Sequence, residues 1–338
     1  MNLSLLSRYA SAFVSYCIGK THLRYHPLFY SIEVTNICNY RCNYCPQGTP
    51  QGEDFRKGRM SQELFEHILK QIGLLKPVSQ VYLTGSGEPL MHPHLERFIS
   101  LANEYGFVPN FSSNGSLFTE ERSKSLLNSG RFSLTVDFSP NRKIYESYRS
   151  GGIWENVYSN LKSLLLLKKK SKGNYPKIEI RDMSTVGLNS PPDWEGSLSD
   201  LKRLFNNLPV DRFSQLKVHT WSGNVDPQIT PARVKGKRYK LCMHPWSIFV
   251  ITYSGKVLAC CRDFGSEYVI GRMDGEEGIL DIWNNQIIKS LRRALVDKKP
   301  HDISVCKNCD RPLTGGSVAR SKPQMIKKIL WEKIVTPR

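Results

Sequence analysis

The stretch CNYRCNYC, at positions 38–45, places three cysteines within eight residues and directly follows the segment FYSIEVT at 29–35. A short run rich in aromatic and β-branched residues predicts a strand, so the cysteines are expected at its carboxyl end. Thiolates are soft ligands for zinc and for iron–sulfur clusters. Zinc would need a fourth ligand, which His22 or His26 could offer, whereas a four-iron cluster held by three cysteines keeps one iron open. Both kinds of site remain open at this point.

Five further strand patterns follow the first, and helical patterns separate them. The predicted strands cover 29–35, 79–85, 106–112, 131–138, 176–183 and 211–220, and the predicted helices lie near 61–75, 93–105, 119–129, 153–170 and 198–207. Ser61 and Thr119 are the residue types that begin helices. Alternation of this kind predicts an α/β fold with a mostly parallel sheet, either open or closed into a barrel, with the helices outside. Such folds hold their active sites at the carboxyl ends of the strands, where the cysteines are expected.

The chain is predicted to divide into one core and several smaller units. These are an N-terminal amphipathic helix within 1–28, the core domain at 29–220, a Gly-, Pro- and Lys-rich linker at 221–240, a small cysteine-rich domain at 241–315, and a basic amphipathic helix at 316–338. The cysteine-rich unit contains a hairpin pattern that turns at Ser254 and Gly255. A unit of this size is expected to need a metal for stability.

Composition limits the class of protein. The chain has 338 residues, nine cysteines and a net charge of +18, with no export signal and no apolar run of membrane-spanning length. These features predict a cytoplasmic protein whose reduced cysteines bind metal. The charge would suit a nucleic acid, an anionic lipid or a phosphorylated substrate, but no dedicated nucleic-acid module is evident. The terminal helices either close the barrel and the small domain or make a peripheral contact with the inner face of the membrane.

CNYRCNYC resembles the CxxxCxxC motif of the radical S-adenosylmethionine (SAM) enzymes, in which an aromatic residue such as Tyr44 precedes the last cysteine. Three later stretches resemble family motifs in the same order: GSGEP at 85–89, SSNGSLFTEE at 112–121 and TVDF at 135–138. Ser86 and Phe138 depart from the usual glycines of these motifs. YRSGG then offers an arginine where the family binds the SAM carboxylate. The resemblance implies SAM contacts from Tyr44, Gly85, Gly87, Glu88, Asn114, Thr135 and Arg149.

The same resemblance implies a partial (βα)6 radical SAM barrel in which Cys38, Cys42 and Cys45 hold a [4Fe-4S] cluster. The open iron binds SAM, and one electron from a flavodoxin- or ferredoxin-type reductant cleaves it to a 5′-deoxyadenosyl radical that abstracts a substrate hydrogen. This is the expected start of the reaction.

The second cysteine set comprises Cys242, a GxxxxC stretch ending at Cys260, and a CxxC pair at 306–309. On spacing alone, zinc and a fully ligated cluster fit equally well. The set resembles the SPASM and shorter Twitch extensions of radical SAM enzymes. That resemblance implies one auxiliary [4Fe-4S] cluster on Cys242, Cys260, Cys306 and Cys309, with Cys261 as a competitor for Cys260.

An auxiliary cluster implies either acceptance of an electron from the substrate or anchoring of the substrate. We therefore expect a radical SAM oxidoreductase that oxidises a small sugar-like metabolite. Two alternatives are a peptide- or protein-modifying SPASM enzyme and a non-catalytic iron–sulfur electron carrier or scaffold. Oxidation needs a base, and Asp182 and His219, near the ends of the fifth and sixth predicted strands, are candidates by position.

Overall fold

The computed structural model describes residues 3–53, 55–78, 80–171, 173–183, 197–215, 221–225 and 239–314. Its strands are β1 (Phe29–Ile32), β2 (Gln80–Tyr82), β3 (Asn110–Ser113), β4 (Ser133–Phe138), β5 (Lys177–Asp182), β6 (Arg212–Gln215), β7 (Ile248–Ile251), β8 (Lys256–Leu258) and β9 (Val269–Arg272). Its helices are α1 (Leu3–Cys17), α2 (Pro50–Glu53), α3 (Gln62–Gly73), α4 (Leu95–Glu104), α5 (Glu120–Asn128), α6 (Arg142–Tyr148), α7 (Trp154–Ser171), α8 (Ser197–Leu204), α9 (Ile279–Trp283), α10 (Gln286–Val296) and α11 (Arg311–Thr314).

The first six strands form a parallel sheet in chain order, with helices between them, as the sequence predicts. Ser61 and Thr119 begin α3 and α5, and each side chain accepts a hydrogen bond from the backbone N–H three residues ahead. β3 starts four residues later than predicted, because Gly106 adopts a φ of 80° to end the turn after α4. Helix α6 follows its Asn141 cap and has no counterpart among the predicted helices. The α/β fold class is confirmed.

The cysteine-rich unit continues the same sheet instead of standing apart from it. Strand β7 pairs with β1 in parallel, and β8 and β9 follow as antiparallel strands, which gives the order β6-β5-β4-β3-β2-β1-β7-β8-β9 among the described strands. The turn between β7 and β8 contains Gly255 with a φ of 79°, at the predicted hairpin position. Tyr30 of β1 and Phe249 of β7 pack with ring centroids 6.0 Å apart. The unit therefore shares the apolar core of the barrel and does not depend on a metal alone.

The N-terminal helix packs against the start of the cysteine-rich unit. The Tyr16 hydroxyl donates to the Leu241 carbonyl at 2.6 Å, and the Trp246 indole N–H donates to the Lys20 carbonyl at 2.7 Å. These contacts support the interpretation that α1 closes the structure. Among the described residues, no helix is long and apolar enough to cross a membrane. The predicted helix at 316–338 and its membrane contact lie outside the described residues.

Arg292 of α10 is fully buried and contacts three segments: the one after α1, the one before β7, and α9. The Arg292 side chain donates from Nε to the Pro245 carbonyl at 2.9 Å and from Nη1 to the Thr21 carbonyl at 2.8 Å. Its guanidinium carbon lies 4.5 Å from the centre of the Trp283 ring. Carbonyl dipoles and an aromatic face therefore stabilise this buried charge.

Replacing this anchor tests whether the three parts are coupled. Arg292→Ala removes two charge-assisted hydrogen bonds, so we expect the free energy of unfolding to fall by about 3 kcal/mol in urea titrations of the metal-free protein. Arg293→Ala, at the exposed neighbouring position of α10, is the control and should change it by less than about 0.5 kcal/mol. Equal effects of the two substitutions would contradict the anchoring role.

Candidate active site

A cavity of about 540 Å³ opens at the carboxyl ends of the parallel strands. Thr84, Asn114, Asp137 and Met183 line it from the ends of four successive strands, β2 to β5. The cysteine-rich unit contributes further lining residues on the other side, including His244 and Cys261. The cavity thus lies where the barrel and the cysteine-rich unit meet.

The three cysteines of the first motif all line this cavity. Their loop makes a tight turn, in which the Cys45 N–H donates to the Cys42 carbonyl at 3.1 Å. Burial raises the pKa of Cys38 to about 11 and that of Cys45 to about 12. The metal-free cysteines are therefore neutral thiols at pH 7, and a metal must displace their protons when it binds.

The cysteine loop is fixed to the end of α6. The Arg41 N–H donates to the Ser150 carbonyl at 3.0 Å, and the Asn43 N–H donates to the Tyr148 carbonyl at 3.1 Å. Tyr44 packs edge-on against Tyr148, with ring centroids 5.5 Å apart. The predicted contact residue Tyr44 therefore lines the cavity and also joins the loop to α6.

Arg149 follows α6, lines the cavity and is 2% exposed. Among the described residues, its Nε and Nη2 atoms have no hydrogen-bond partner. Its guanidinium carbon lies 5.3 Å from the Tyr145 ring centre and 5.9 Å from that of Tyr44. Buried donors without an acceptor are costly, and the planar guanidinium fork matches a carboxylate. These orphaned donors fit the SAM carboxylate that the motif resemblance implies.

The GSGEP segment needs its glycines because other backbone and side-chain atoms approach closely. A Cβ on Gly85 would lie 2.4 Å from the Glu33 side chain, and one on Gly87 would lie 2.5 Å from the Thr35 carbonyl oxygen. Glycine is thus required at both positions for steric reasons, and Ser86 between them is accommodated. Gly85 and Gly87 both line the cavity.

Glu88 ties two predicted contact segments together. Its carboxylate accepts hydrogen bonds from the Asn114 N–H at 2.8 Å and from the Leu90 N–H at 3.2 Å. Burial raises the pKa of Glu88 to about 7. Asn114 in turn donates from its side chain to Asn39 at 2.9 Å, next to the first cysteine. Glu88 and Asn114 thus connect the ends of β2 and β3 to the cysteine loop.

The remaining predicted site residues have different positions. Thr135 is buried on β4, outside the cavity lining, and stays a prediction. Asp182 has no exposed surface and accepts from the Gln215 side chain at 3.3 Å, so the structure does not bring it to the cavity. His219 lies outside the described residues. The sequence analysis missed Asp137 and Arg181, which form a 2.6 Å ion pair in the cavity wall.

The second cysteine set also converges. Cys242, Cys260, Cys306 and Cys309 come from the segment before β7, the end of β8 and the turn after α10, and all are free thiols. The thiols of Cys260, Cys242 and Cys309 lie close enough to raise the pKa of Cys306, after burial as the main cause. His244 lies beside this set, with Nδ1 3.4 Å from the Cys260 sulfur and 3.8 Å from that of Cys261.

A single zinc ion requires its ligand atoms to lie close to one another. A zinc ion with Zn–S bonds of about 2.3 Å draws its ligand atoms to within about 4 Å of one another. Among the described residues, the group with ligand atoms this close, within 4.8 Å, consists of His244, Cys260 and Cys261. The first motif forms no such group, and neither His22 nor His26 lines its cavity. The sulfur atoms of Cys38, Cys42 and Cys45 are therefore not all within 4.8 Å of one another.

Comparison with protein families gives two matches. Residues 32–179 match the radical SAM superfamily, and residues 242–310 match SPASM, an iron–sulfur cluster-binding domain. The first range contains Cys38, Cys42 and Cys45, and the second contains all four predicted auxiliary cysteines. The resemblance drawn from the motifs is thereby confirmed.

Two curated proteins are similar over most of their length. The S-adenosyl-L-methionine-dependent 2-deoxy-scyllo-inosamine dehydrogenase of Niallia circulans is 25% identical over 281 residues, which cover 82% of this chain and 91% of that protein. The tungsten-containing aldehyde ferredoxin oxidoreductase cofactor-modifying protein of Pyrococcus furiosus is 23% identical over 301 residues, with coverages of 75% and 80%.

Solved structures share the fold. BtrN in complex with AdoMet and 2-DOIA aligns with a TM-score of 0.55 and 22% identity, covering 84% of this chain and 92% of BtrN. Streptococcus suis SuiB bound to the precursor peptide SuiA aligns with a TM-score of 0.62 and 14% identity, covering 84% and 70%. Because each alignment covers 84% of this chain, each likeness extends beyond the predicted core domain at 29–220.

Substitution of Arg149 tests whether this residue binds the SAM carboxylate. Arg149→Lys keeps the charge but loses the planar fork, so we expect the dissociation constant for SAM to rise about tenfold in equilibrium dialysis of anaerobically reconstituted protein. Arg142→Lys, at the exposed start of the same helix, is the matched control and should bind SAM normally. Unchanged SAM affinity of Arg149→Lys at full iron content would exclude the carboxylate contact.

Proposed function

Because the chain belongs to the radical SAM superfamily and carries a SPASM domain, we propose that it oxidises a hydroxyl group of a small sugar-like molecule to a ketone. The observation that carries the proposal is the single cavity shared by the three-cysteine motif and the auxiliary cysteine unit. The relative from Niallia circulans, a SAM-dependent dehydrogenase of an inosamine, supports the substrate class. The cavity volume of about 540 Å³ lies in the range typical of small-molecule sites.

At the barrel end of the cavity, Cys38, Cys42 and Cys45 would hold the SAM-binding cluster. When bound there, the cluster and SAM supply a 5′-deoxyadenosyl radical that removes a hydrogen atom from the substrate. Arg149 would orient SAM through its free guanidinium donors, and the backbone around Gly85 and Gly87 allows a close approach. An external electron source of the flavodoxin or ferredoxin type belongs to this proposal, and the net charge of +18 favours a negatively charged partner.

The cavity wall between the three-cysteine motif and the cysteine-rich unit contains side chains that could contact the substrate. Asp137, oriented by Arg181 at 2.6 Å, takes the place of Asp182 as the candidate acceptor for the hydroxyl proton. Trp221 and Phe264 line the cavity on the side of the auxiliary unit, with ring centroids 6.4 Å apart, and offer apolar faces to a sugar ring. These residues would position the substrate and exclude water.

Outside the cavity lining, in the cysteine-rich unit, Cys242, Cys260, Cys306 and Cys309 would hold an auxiliary cluster with all four positions closed by the protein. Such a cluster offers no second SAM site but can accept the electron that the substrate loses. Cys261 lines the cavity, whereas Cys260 does not. We therefore assign Cys260 to the cluster and Cys261 to the cavity wall.

Release of 5′-deoxyadenosine tests the reaction class directly. Anaerobically reconstituted protein with SAM and a strong reductant should release 5′-deoxyadenosine, measured by liquid chromatography. The variant with Ala at Cys38, Cys42 and Cys45 should release none, because no iron remains open to SAM. If the wild-type protein with full iron content also releases none, an electron carrier or scaffold becomes the better interpretation.

Iron content tests the auxiliary ligands. In the background of the triple alanine variant, we expect about four irons per chain from the auxiliary cluster alone. Adding Cys260→Ser should remove most of this iron, whereas adding Cys261→Ser should retain it. The reverse pattern would assign Cys261 as the ligand instead.

A further inference from the structure

A buried ion pair lies directly against the auxiliary cysteines. Arg262 and Asp310 are each 8% exposed at the side chain, and their Nη1 and Oδ1 atoms are 2.6 Å apart. The same Arg262 nitrogen lies 3.9 Å from the sulfur of Cys309, and the Arg262 backbone N–H donates to the sulfur of Cys260 at 3.4 Å. One residue therefore donates to two of the four assigned ligands.

The two charges of this ion pair act on the neighbouring ligand sulfurs in opposite ways. The guanidinium contacts a ligand sulfur, and its carboxylate partner belongs to the residue that follows Cys309. A positive charge and N–H donors close to the sulfurs stabilise the added electron of a reduced cluster. The carboxylate partially offsets that charge. Because both groups are buried, solvent screens these interactions weakly.

We propose that the Arg262–Asp310 ion pair sets the reduction potential of the auxiliary cluster, with the guanidinium raising it and the carboxylate lowering it. The proposal rests on the proposed function, since it takes the four assigned cysteines as cluster ligands. Arg262 is a positioning residue in this scheme, because it acts through the cluster and not on the substrate itself.

The electron balance shows why this potential matters. In the proposed oxidation, the substrate carbon loses a hydrogen atom to the 5′-deoxyadenosyl radical, which becomes 5′-deoxyadenosine. The hydroxyl loses a proton to a cavity carboxylate, and one electron passes to the oxidised auxiliary cluster, which leaves a ketone. A protein redox partner then removes the electron from the reduced cluster. A higher cluster potential favours uptake of the substrate electron.

The test uses the full chain with Ala at Cys38, Cys42 and Cys45, reconstituted with iron and sulfide, so that only the auxiliary cluster contributes a signal. Its midpoint potential is measured by a redox titration followed by electron paramagnetic resonance. Arg262→Gln should shift the potential to more negative values, and Asp310→Asn should shift it to more positive values. Arg262→Lys, which keeps the charge, should shift it less than Arg262→Gln.

Arg272→Gln is the matched control, because Arg272 forms a 2.5 Å ion pair with Asp274 in the same unit but is about half exposed. It should leave the potential unchanged. Opposite shifts for Arg262→Gln and Asp310→Asn support the proposal, since a merely structural loss would move both variants in one direction. Should Arg262→Gln lose its iron, Asp310→Asn decides the question by the sign of its shift.

Shifts in the same direction, or none beyond the control, overturn the proposal. Failure of the triple alanine protein to bind iron would overturn the ligand assignment, and this proposal with it. If the Arg262 and Asp310 variants keep their iron and show an unaltered midpoint potential, the role of the ion pair is overturned. The proposed function would then still stand.

Discussion

The parallel pairing of β1 with β7 is the constraint on which the site depends. Phe29 lies opposite Ile248 and Ile32 opposite Ile251, and the Glu33 N–H extends the pairing to the Ile251 carbonyl at 2.8 Å. The first cysteine motif follows β1, and Cys242 and Cys260 flank the β7–β8 hairpin. Because a slip of one residue would turn every side chain to the other face, this register fixes the two cysteine sets relative to each other.

The charges of the cavity follow from its burial. Cys38, Cys45 and Cys242 are neutral thiols without metal, because burial raises the pKa of each. Metal loading must therefore release protons, after which clusters with anionic thiolates would occupy the two proposed cysteine sites. Buried Arg149 and Arg262 already lie where these negative charges would develop. The protein thus holds the compensating charges in place before the metal binds.

The sequence analysis located what depends on local pattern: six strands, two helix caps, the hairpin turn and the cysteines. It named Asp182 as a candidate base and missed Asp137, because the choice between them depends on which face of a strand points inward. Asp137 lies opposite Arg181 in the register and Phe138 lies opposite Asp182. The first pair lines the cavity, whereas Phe138 and Asp182 are fully buried away from it. Nor does any local signal reveal that β7 joins β1, because the two strands are more than 200 residues apart.

The cavity wall also packs against the loop that contains Cys306 and Cys309. Trp221, Ser222 and Gly223 adopt φ values of 48°, 61° and 90°, a left-handed run that is costly for the first two residues. A Cβ on Gly223 would lie 2.5 Å from that of Asn308, which stands between Cys306 and Cys309. The packing of this turn on the CxxC loop maintains its strained backbone and places the Trp221 ring on the cavity. The loop that contains two of the proposed cluster ligands, Cys306 and Cys309, therefore also shapes the wall of the cavity.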